Sequence, residues 1–180
     1  AGNQRLNLHE IYGEFGGKFV DRDQVEVSHF QGWIDWAKEH NLKLDFNSTS
    51  FSHPKSGDLS LANPDKSIRD FWIEHTKRCR RIADAMGKAQ GDPCIMNIWV
   101  HDGSKDLTVE RYRYRQILKE SLDEILAEDL PHMKSCLEAK LFGIGLEAYT
   151  VGSHDFFAGY CSKNNAIYTL DTGHYEPTEN

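Results

Sequence analysis

The sequence predicts an α/β fold in which about five parallel strands alternate with helices. Apolar stretches of strand length recur near residues 6–12, 42–47, 94–100, 137–142 and 167–174, with amphipathic segments between them. Connections of a dozen or more residues favour parallel strands joined by right-handed crossovers. An open doubly wound sheet and a part of a (β/α)8 barrel both fit this order. A full barrel typically needs about 250 residues, so this shorter chain favours a partial TIM barrel.

Each strand rests on its own pattern. Residues 6–12 alternate apolar and polar side chains, which is typical of a half-buried strand. Residues 94–100 are mostly apolar on both faces, and this predicts a strand covered on both sides of the sheet. Leu137, Ala139 and Leu141 alternate with Glu138 and Lys140, so the two charged side chains are expected on one face of the fourth strand.

The helices are predicted from apolar residues at a spacing of three and four. A helix near residues 28–40 has Phe30, Trp33, Ile34 and Ala37 on one face. The next is expected to begin with Asn63 as its N-cap and Pro64 in its first turn, and to end at Gly87 or Gly91. Two more are expected near residues 108–128 and 153–162.

The composition of the chain argues against some classes of binding partner. A net charge of −7 and a pI near 5.7 argue against a nucleic-acid binder or a protein that binds anionic membranes. The basic run at 77–81 is interpreted as a solvated helix face or a subunit contact. Four scattered cysteines without a Cys-x-x-Cys pair suit reduced thiols in a cytoplasmic protein.

Polar residues gather where the predicted strands end. In parallel α/β folds ligands bind at the carboxyl ends of the strands, so these side chains predict a site there. They are His9, Glu10, Asp45, Asn47, Trp99, His101, Asp102, Glu138, Lys140, Asp171 and His174.

Burying such charges costs several kcal/mol unless they are paired or bind a metal. Carboxylates with a histidine and no thiolate suit a hard divalent cation, Mn²⁺ or Mg²⁺, with Zn²⁺ or Co²⁺ as further options. Trp99 and Phe51 are candidate apolar walls for a sugar. This chemistry leaves open a sugar isomerase, a metal-dependent lyase and a phosphoesterase. A G-x-G-x-x-A match at residues 143–148 is too weak a signal for a dinucleotide site, because no helix and distant acidic residue follow it.

Several strand-end motifs, in this order, closely resemble the L-rhamnose isomerase family. The resemblance extends over nearly the whole chain and implies a metal-dependent (β/α)8 barrel that interconverts L-rhamnose and L-rhamnulose, with Mn²⁺ as the typical cofactor, usually as a homotetramer. The motifs are Leu6-Asn7-Leu8-His9, Leu44-Asp45-Phe46-Asn47, Ser52-His53-Pro54, Asn97-Ile98-Trp99, residues 138–143, Val151-Gly152-Ser153-His154 and Leu170-Asp171-Thr172-Gly173-His174.

The resemblance also implies roles for individual residues. Glu138 and Asp171 match ligands of the structural, substrate-binding metal, and His174 matches a ligand of the neighbouring catalytic metal. Lys140, Trp99 and His53 match substrate contacts. Lys140 and His53 are the catalytic candidates, with His53 near the ring oxygen of the sugar and suited to ring opening.

One departure from the family pattern is large. The remaining His and Asp ligands of the family come from later strands, which this sequence lacks. The resemblance therefore implies that residues 1–180 are a single domain, the central part of a (β/α)8 barrel with N- and C-terminal portions missing. We expect negligible isomerase activity from this chain alone. A non-catalytic metal- or carbohydrate-binding fragment and a metal-dependent phosphoesterase on the same barrel are the alternatives.

Overall fold

The computed structural model of the protein describes residues 4–106, 108–140 and 149–174. The strands in these residues are β1 (Arg5–His9), β2 (Lys43–Ser48), β3 (Cys94–Trp99), β4 (Gly103–Ser104), β5 (Met133–Glu138), β6 (Tyr149–Thr150) and β7 (Ile167–Thr169). Within the described part of the chain, the main sheet has five parallel strands in the order β1-β2-β3-β5-β7. The separate antiparallel pair of β4 with β6 was not predicted from the sequence.

Helices separate successive strands of the main sheet. They are α1 (Gln31–Glu39), α2 (Lys66–Gln90), α3 (Arg111–Leu126) and α4 (His154–Asn164). The predicted alternation of parallel strands and helices is confirmed, and it is consistent with a partial TIM barrel. Among the described residues, no helix combines the length and the apolar character needed to cross a membrane.

Among the described residues, helices cover only one face of the sheet. In β3, Cys94, Met96 and Ile98 are at most 1% exposed, whereas the alternating residues 95, 97 and 99 are only partly buried. The prediction that this strand is covered on both sides is therefore wrong. Right-handed crossovers of the same sense place successive helices on one side of the sheet, and in a barrel the opposite face points to the interior.

Several boundaries differ from prediction. β1 stops at His9, and Glu10–Tyr12 form a 3-10 turn instead of continuing the strand. β5 lies earlier than predicted, so Glu138 is its last residue and Lys140 follows it. Residues 141 and 142 of the predicted strand lie outside the described residues. β7 stops at Thr169, and Thr172–His174 form a 3-10 turn.

The N-terminus of α2 is capped by Asp65. Its carboxylate accepts the backbone N–H of Ser67 at 2.8 Å. The prediction of Asn63 as the cap is wrong, because the Asn63 side chain instead accepts the N–H of Asp65 at 2.9 Å in a preceding turn. At the other end, Gly91 is the C-cap with φ +64°, a conformation that glycine adopts without a steric penalty.

The basic run on α2 holds α3 and β5 in place. Arg80 is 5% exposed, and its guanidinium donates to Ser135 Oγ at 3.1 Å and to the carbonyl oxygens of Ile125 and Glu128. A cation at the end of α3 suits the carbonyls that are left without partners there. The interpretation of this run as a solvated face or a subunit contact is wrong for Arg80. Its neighbours Lys77, Arg78 and Arg81 form ion pairs with Glu124, Glu74 and Glu128.

Two buried titratable groups lie between β1, β2 and α2. Burial lowers the pKa of His75 from 6.5 to about 4. His75 Nδ1 lies 3.0 Å from the carbonyl oxygen of Arg22, and its Nε2 accepts the N–H of Thr49 at 3.3 Å, an arrangement for the neutral ring. Burial also raises the pKa of Glu10 from 4.5 to about 7.

These two groups are expected to give opposite pH dependence. The folded state resists protonating His75, so the His75 contribution is complete above pH 6.5 and is lost as pH falls towards 4. Between pH 7.5 and pH 5, the contribution of His75 to the free energy of unfolding falls by about 2 kcal/mol. The folded state holds a proton on Glu10, so the Glu10 contribution is present at low pH and is lost as pH rises from 4.5 through 7.

Urea denaturation of the wild type, His75→Gln and Glu10→Gln at pH 5 and pH 7.5 separates the two contributions. Relative to wild type, His75→Gln should gain stability on acidification and Glu10→Gln should lose it. Equal shifts for all three proteins would contradict this assignment.

Candidate metal and sugar site

A cavity of about 720 Å³ lies on the open face of the sheet and reaches the carboxyl ends of its strands. Carboxylates, amides, imidazoles and two aromatic rings line it, and no Lys or Arg does so among the described residues. The lining residues are Asn7, His9, Asp45, Asn47, Ser48, Phe51, Ile95, Asn97, Trp99, Glu138, Thr169, Leu170, Asp171, Thr172 and His174.

Glu138, Asp171 and His174 lie close together at the edge of this cavity where β5 and β7 end. Each offers one ligand atom, and these atoms lie within 4.8 Å of one another. His174 Nδ1 is 3.3 Å from Glu138 Oε1, and His174 Nε2 is 3.6 Å from Asp171 Oδ2. Metal–oxygen distances of about 2.1–2.6 Å place donors on opposite sides of a cation about 4–5 Å apart. The three side chains therefore fit around one divalent ion.

A backbone contact orients His174 towards such an ion. Its Nδ1 lies 3.1 Å from the carbonyl oxygen of Ala139, which can only accept a hydrogen bond. Nδ1 therefore carries the proton, and the lone pair of Nε2 is left on the side of Asp171. Metal-binding histidines usually have their second nitrogen held in this way.

Asn97 and Thr169 orient Glu138. The Asn97 amide donates to Glu138 Oε2, and Asn97 Oδ1 accepts from the Thr169 hydroxyl at 3.0 Å. The hydroxyl contact determines which end of the amide faces the carboxylate. Burial raises the pKa of Glu138, with the bond from Asn97 and the nearby His174 opposing this rise. A bound cation would oppose it further.

Trp99 joins the ion cluster to the rest of the cavity. Its ring packs at the edge of Phe51 with 5.3 Å between centroids, and lies 6.3 Å from the ring of His174. Lys140 Nζ is 5.8 Å from the Trp99 centroid and donates to the carbonyl oxygen of His101 at 2.9 Å. An aromatic wall beside polar donors is an arrangement suited to one face of a sugar ring.

The sequence profile of the family described as L-rhamnose isomerase (RhaA) matches residues 1–180. The chain belongs to the L-rhamnose isomerase family. The L-rhamnose isomerase of Bacteroides thetaiotaomicron is 71% identical over 178 residues, covering 99% of this chain and 43% of that protein. Those of Rhodopirellula baltica and Mannheimia succiniciproducens are 53% and 50% identical, also over 99% of this chain and 42% and 43% of their own length. The chain thus spans less than half the length of these relatives.

A solved structure supports the fold. The crystal structure of SacUVDE superposes with a TM-score of 0.54 at 8% sequence identity, over 98% of this chain and 54% of that one. At this identity the likeness concerns the arrangement of strands and helices alone.

Within this member of the L-rhamnose isomerase family, the predicted strand-end residues separate into two groups. His9, Asn47, Trp99, Glu138, Asp171 and His174 line the cavity. Glu10 does not, because its side chain turns to the buried side and approaches Arg22. Asp45 lines the cavity but lies near the amino ends of the strands, where it pairs with Arg5 at 2.7 Å, so its expected place at a strand end is wrong.

His101 and Asp102 have a structural role in the described part of the chain. Asp102 accepts the backbone N–H groups of Ser60 and Ala62 at 2.7 and 2.6 Å. His101 contacts Ser50 Oγ at 3.2 Å and the carbonyl oxygen of Gly57 at 3.1 Å. Both residues therefore fasten the long segment after β2 to the end of β3, beside the carbonyl that receives Lys140.

His53 lies apart from the ion cluster, on that same segment. Its Nε2 is 3.0 Å from Asp21 Oδ1, and its Nδ1 accepts the N–H of Lys55 at 3.1 Å. The ring stacks on Phe71, with 5.0 Å between centroids, and is not among the residues that line the cavity. Its role in binding substrate stays a prediction, as do those of Trp99 and Lys140 and the metal roles of Glu138, Asp171 and His174.

Sequence reasoning did not assign roles to Asn97, Thr169 or Arg22. Asn97 was a usable signal, because an amide in the middle of an otherwise apolar strand requires a hydrogen-bonding partner. No pattern pointed to Thr169, whose hydroxyl reaches across the sheet to a residue 72 positions earlier.

Proposed function

We propose that the polypeptide containing this chain is an aldose–ketose isomerase that interconverts L-rhamnose and L-rhamnulose. The observation that supports it is the group of Glu138, Asp171 and His174 at the strand ends of a chain in the L-rhamnose isomerase family. In this proposal residues 1–180 form the central part of a (β/α)8 barrel, and other strands supply the remaining ligands.

The proposed cofactor is a divalent cation, Mn²⁺ first, with Mg²⁺, Zn²⁺ and Co²⁺ as alternatives. Two carboxylates and one imidazole suit these ions, and no cysteine belongs to this group of described candidate ligands. The family resemblance assigns Glu138 and Asp171 to the substrate-binding ion and His174 to a neighbouring one, whereas the spacing of the three groups also allows them to share a single ion. When bound, such an ion polarises a carbonyl and the adjoining hydroxyl.

The remaining candidates would bind and orient the sugar. Trp99 and Phe51 provide apolar surface. Lys140 is 4% exposed and is not among the described lining residues, and it places its ammonium 5.8 Å from the centroid of the Trp99 ring. His53 would act at the ring oxygen. Because both its ring nitrogens have protein partners, reaching the sugar requires that Nδ1 give up its contact with the backbone of Lys55. Asp21 would then keep the proton on Nε2.

The proposed partners are the sugar and other copies of the chain, as a homotetramer in the full-length protein. We propose no nucleic-acid or membrane partner, in keeping with the net charge of −7. A cytoplasmic location is proposed from the four free thiols. The phosphoesterase alternative predicts cations that contact an anion near Asp171, and the described lining of the cavity contains none.

Activity can be tested with and without the rest of the barrel. The 180-residue chain alone, supplied with Mn²⁺, is expected to form no detectable L-rhamnulose from L-rhamnose. A chimera in which this chain replaces the matching segment of the Bacteroides thetaiotaomicron relative is expected to form it. L-rhamnulose from the chain alone would contradict the first expectation, and a folded, metal-loaded chimera without activity would contradict the proposed function.

A further inference from the structure

The side chain of Arg22 contacts the segment that follows β2, residues 49–56, which we call the clamped segment. Its side chain is 14% exposed. Nη1 donates to the carbonyl oxygens of Thr49 and Phe51 at 2.5 and 2.6 Å, and Nη2 lies 3.4 Å from that of Ser52. A single guanidinium therefore gathers three carbonyls from four consecutive residues.

This segment has a conformation that needs such support. Ser52 has φ +56°, in the left-handed region, which is sterically unfavourable for a residue other than glycine. Strained residues persist where their surroundings hold them, and they are often found near functional sites. Turning three carbonyls towards one point also requires a donor there, because unpaired polar groups are costly inside a protein.

Arg22 is itself firmly held. Glu10, 1% exposed, places Oε1 at 3.4 Å from Arg22 Nε and supplies a nearby carboxyl group. The guanidinium lies 5.8 Å from the ring centroid of Trp72, and the Arg22 carbonyl receives His75 Nδ1 at 3.0 Å. Trp72 and His75 both belong to α2 and are fully buried. Arg22 is therefore fixed to the face of the sheet that α2 covers.

The clamped segment carries two of the residues that would face the sugar. Phe51 lines the cavity against Trp99, and His53 follows two residues later. The metal candidates stand on other elements, at the ends of β5 and β7. We propose that Arg22 is a positioning residue that sets the sugar-facing wall of the site without affecting its metal centre. This inference rests on the proposed isomerase function.

The first test measures sugar and metal separately in the chimera. Arg22→Met is expected to raise KM for L-rhamnose about tenfold or more and to leave Mn²⁺ affinity unchanged. Arg22→Lys keeps the charge beside Glu10 but lacks the planar fork of a guanidinium, so it should raise KM by a smaller factor. This variant also provides a second measurement in case Arg22→Met does not fold. Arg78→Met is the control, because Arg78 also pairs with glutamates yet does not contact the clamped segment.

The second test does not require activity. Amide hydrogen exchange of the 180-residue chain should become faster at residues 49–56 in Arg22→Met and Arg22→Lys, and should stay unchanged there in Arg78→Met. Unchanged exchange at 49–56 in both Arg22 variants would overturn the proposal. So would parallel losses of kcat and Mn²⁺ affinity at constant KM, the result expected of a purely structural residue. If the parent chimera is inactive, the isomerase proposal fails while the exchange experiment still decides the role of Arg22.

Discussion

Glu138→Gln in the chimera is expected to weaken Mn²⁺ binding on the order of 100-fold or more. The amide removes a charged ligand, whereas loss of a contact that only orients a ligand typically costs about 10–100-fold. Asp171→Asn should act similarly. The measurement is titration with Mn²⁺, followed by the electron paramagnetic resonance signal of the free ion.

Two further variants serve as controls for the Mn²⁺ affinity of Glu138→Gln. Asn97→Ala leaves all three candidate ligands in place but removes the donor to Glu138, so its loss of affinity should fall within about 10–100-fold. Glu124→Gln removes a carboxylate that pairs with Lys77 at the surface, and it should bind Mn²⁺ like the parent. Unchanged Mn²⁺ affinity in Glu138→Gln would refute the metal assignment.

Gly87→Ala is expected to destabilise the chain by about 3 kcal/mol or more. A Cβ at this position in α2 would lie 1.7 Å from the carbonyl oxygen of His132 and 2.9 Å from the backbone nitrogen of Cys94. Those two atoms also form a 3.0 Å hydrogen bond with each other, so neither can move without loss. Overpacking typically costs about 1–3 kcal/mol, and a clash with backbone is more severe than one with a mobile side chain.

Gly159→Ala is the matched control for this prediction. Gly159 is also inside a helix, α4, but within the described structure a Cβ there would meet nothing within 4 Å. Alanine favours a helix over glycine by up to about 1 kcal/mol, so this variant should be as stable as wild type or slightly more so. Urea denaturation followed by circular dichroism measures both variants, and equal stability of Gly87→Ala and wild type would contradict the expectation.

A comparison of Gly87 with Gly91 shows which features of the fold local sequence patterns do not predict. Gly87 and Gly91 were equivalent candidates for the end of α2, because each follows a run of helical residues. The structure ends the helix at Gly91 and keeps Gly87 inside it, where a loop residue 45 positions later comes too close for any side chain. No local pattern records such an approach.

The alternation of strands and helices could be predicted from the sequence, because apolar periodicity and connection length are local properties. The strand-end motifs also indicated the family and pointed to Glu138, Asp171 and His174 as candidate metal ligands. Which polar residues share the cavity could be read only from the structure, since it depends on where each strand ends and which face each side chain takes. The tertiary structure turned Glu10 away to Arg22, and it brought Asn97 and Thr169 together behind Glu138 through contacts between residues far apart in the chain.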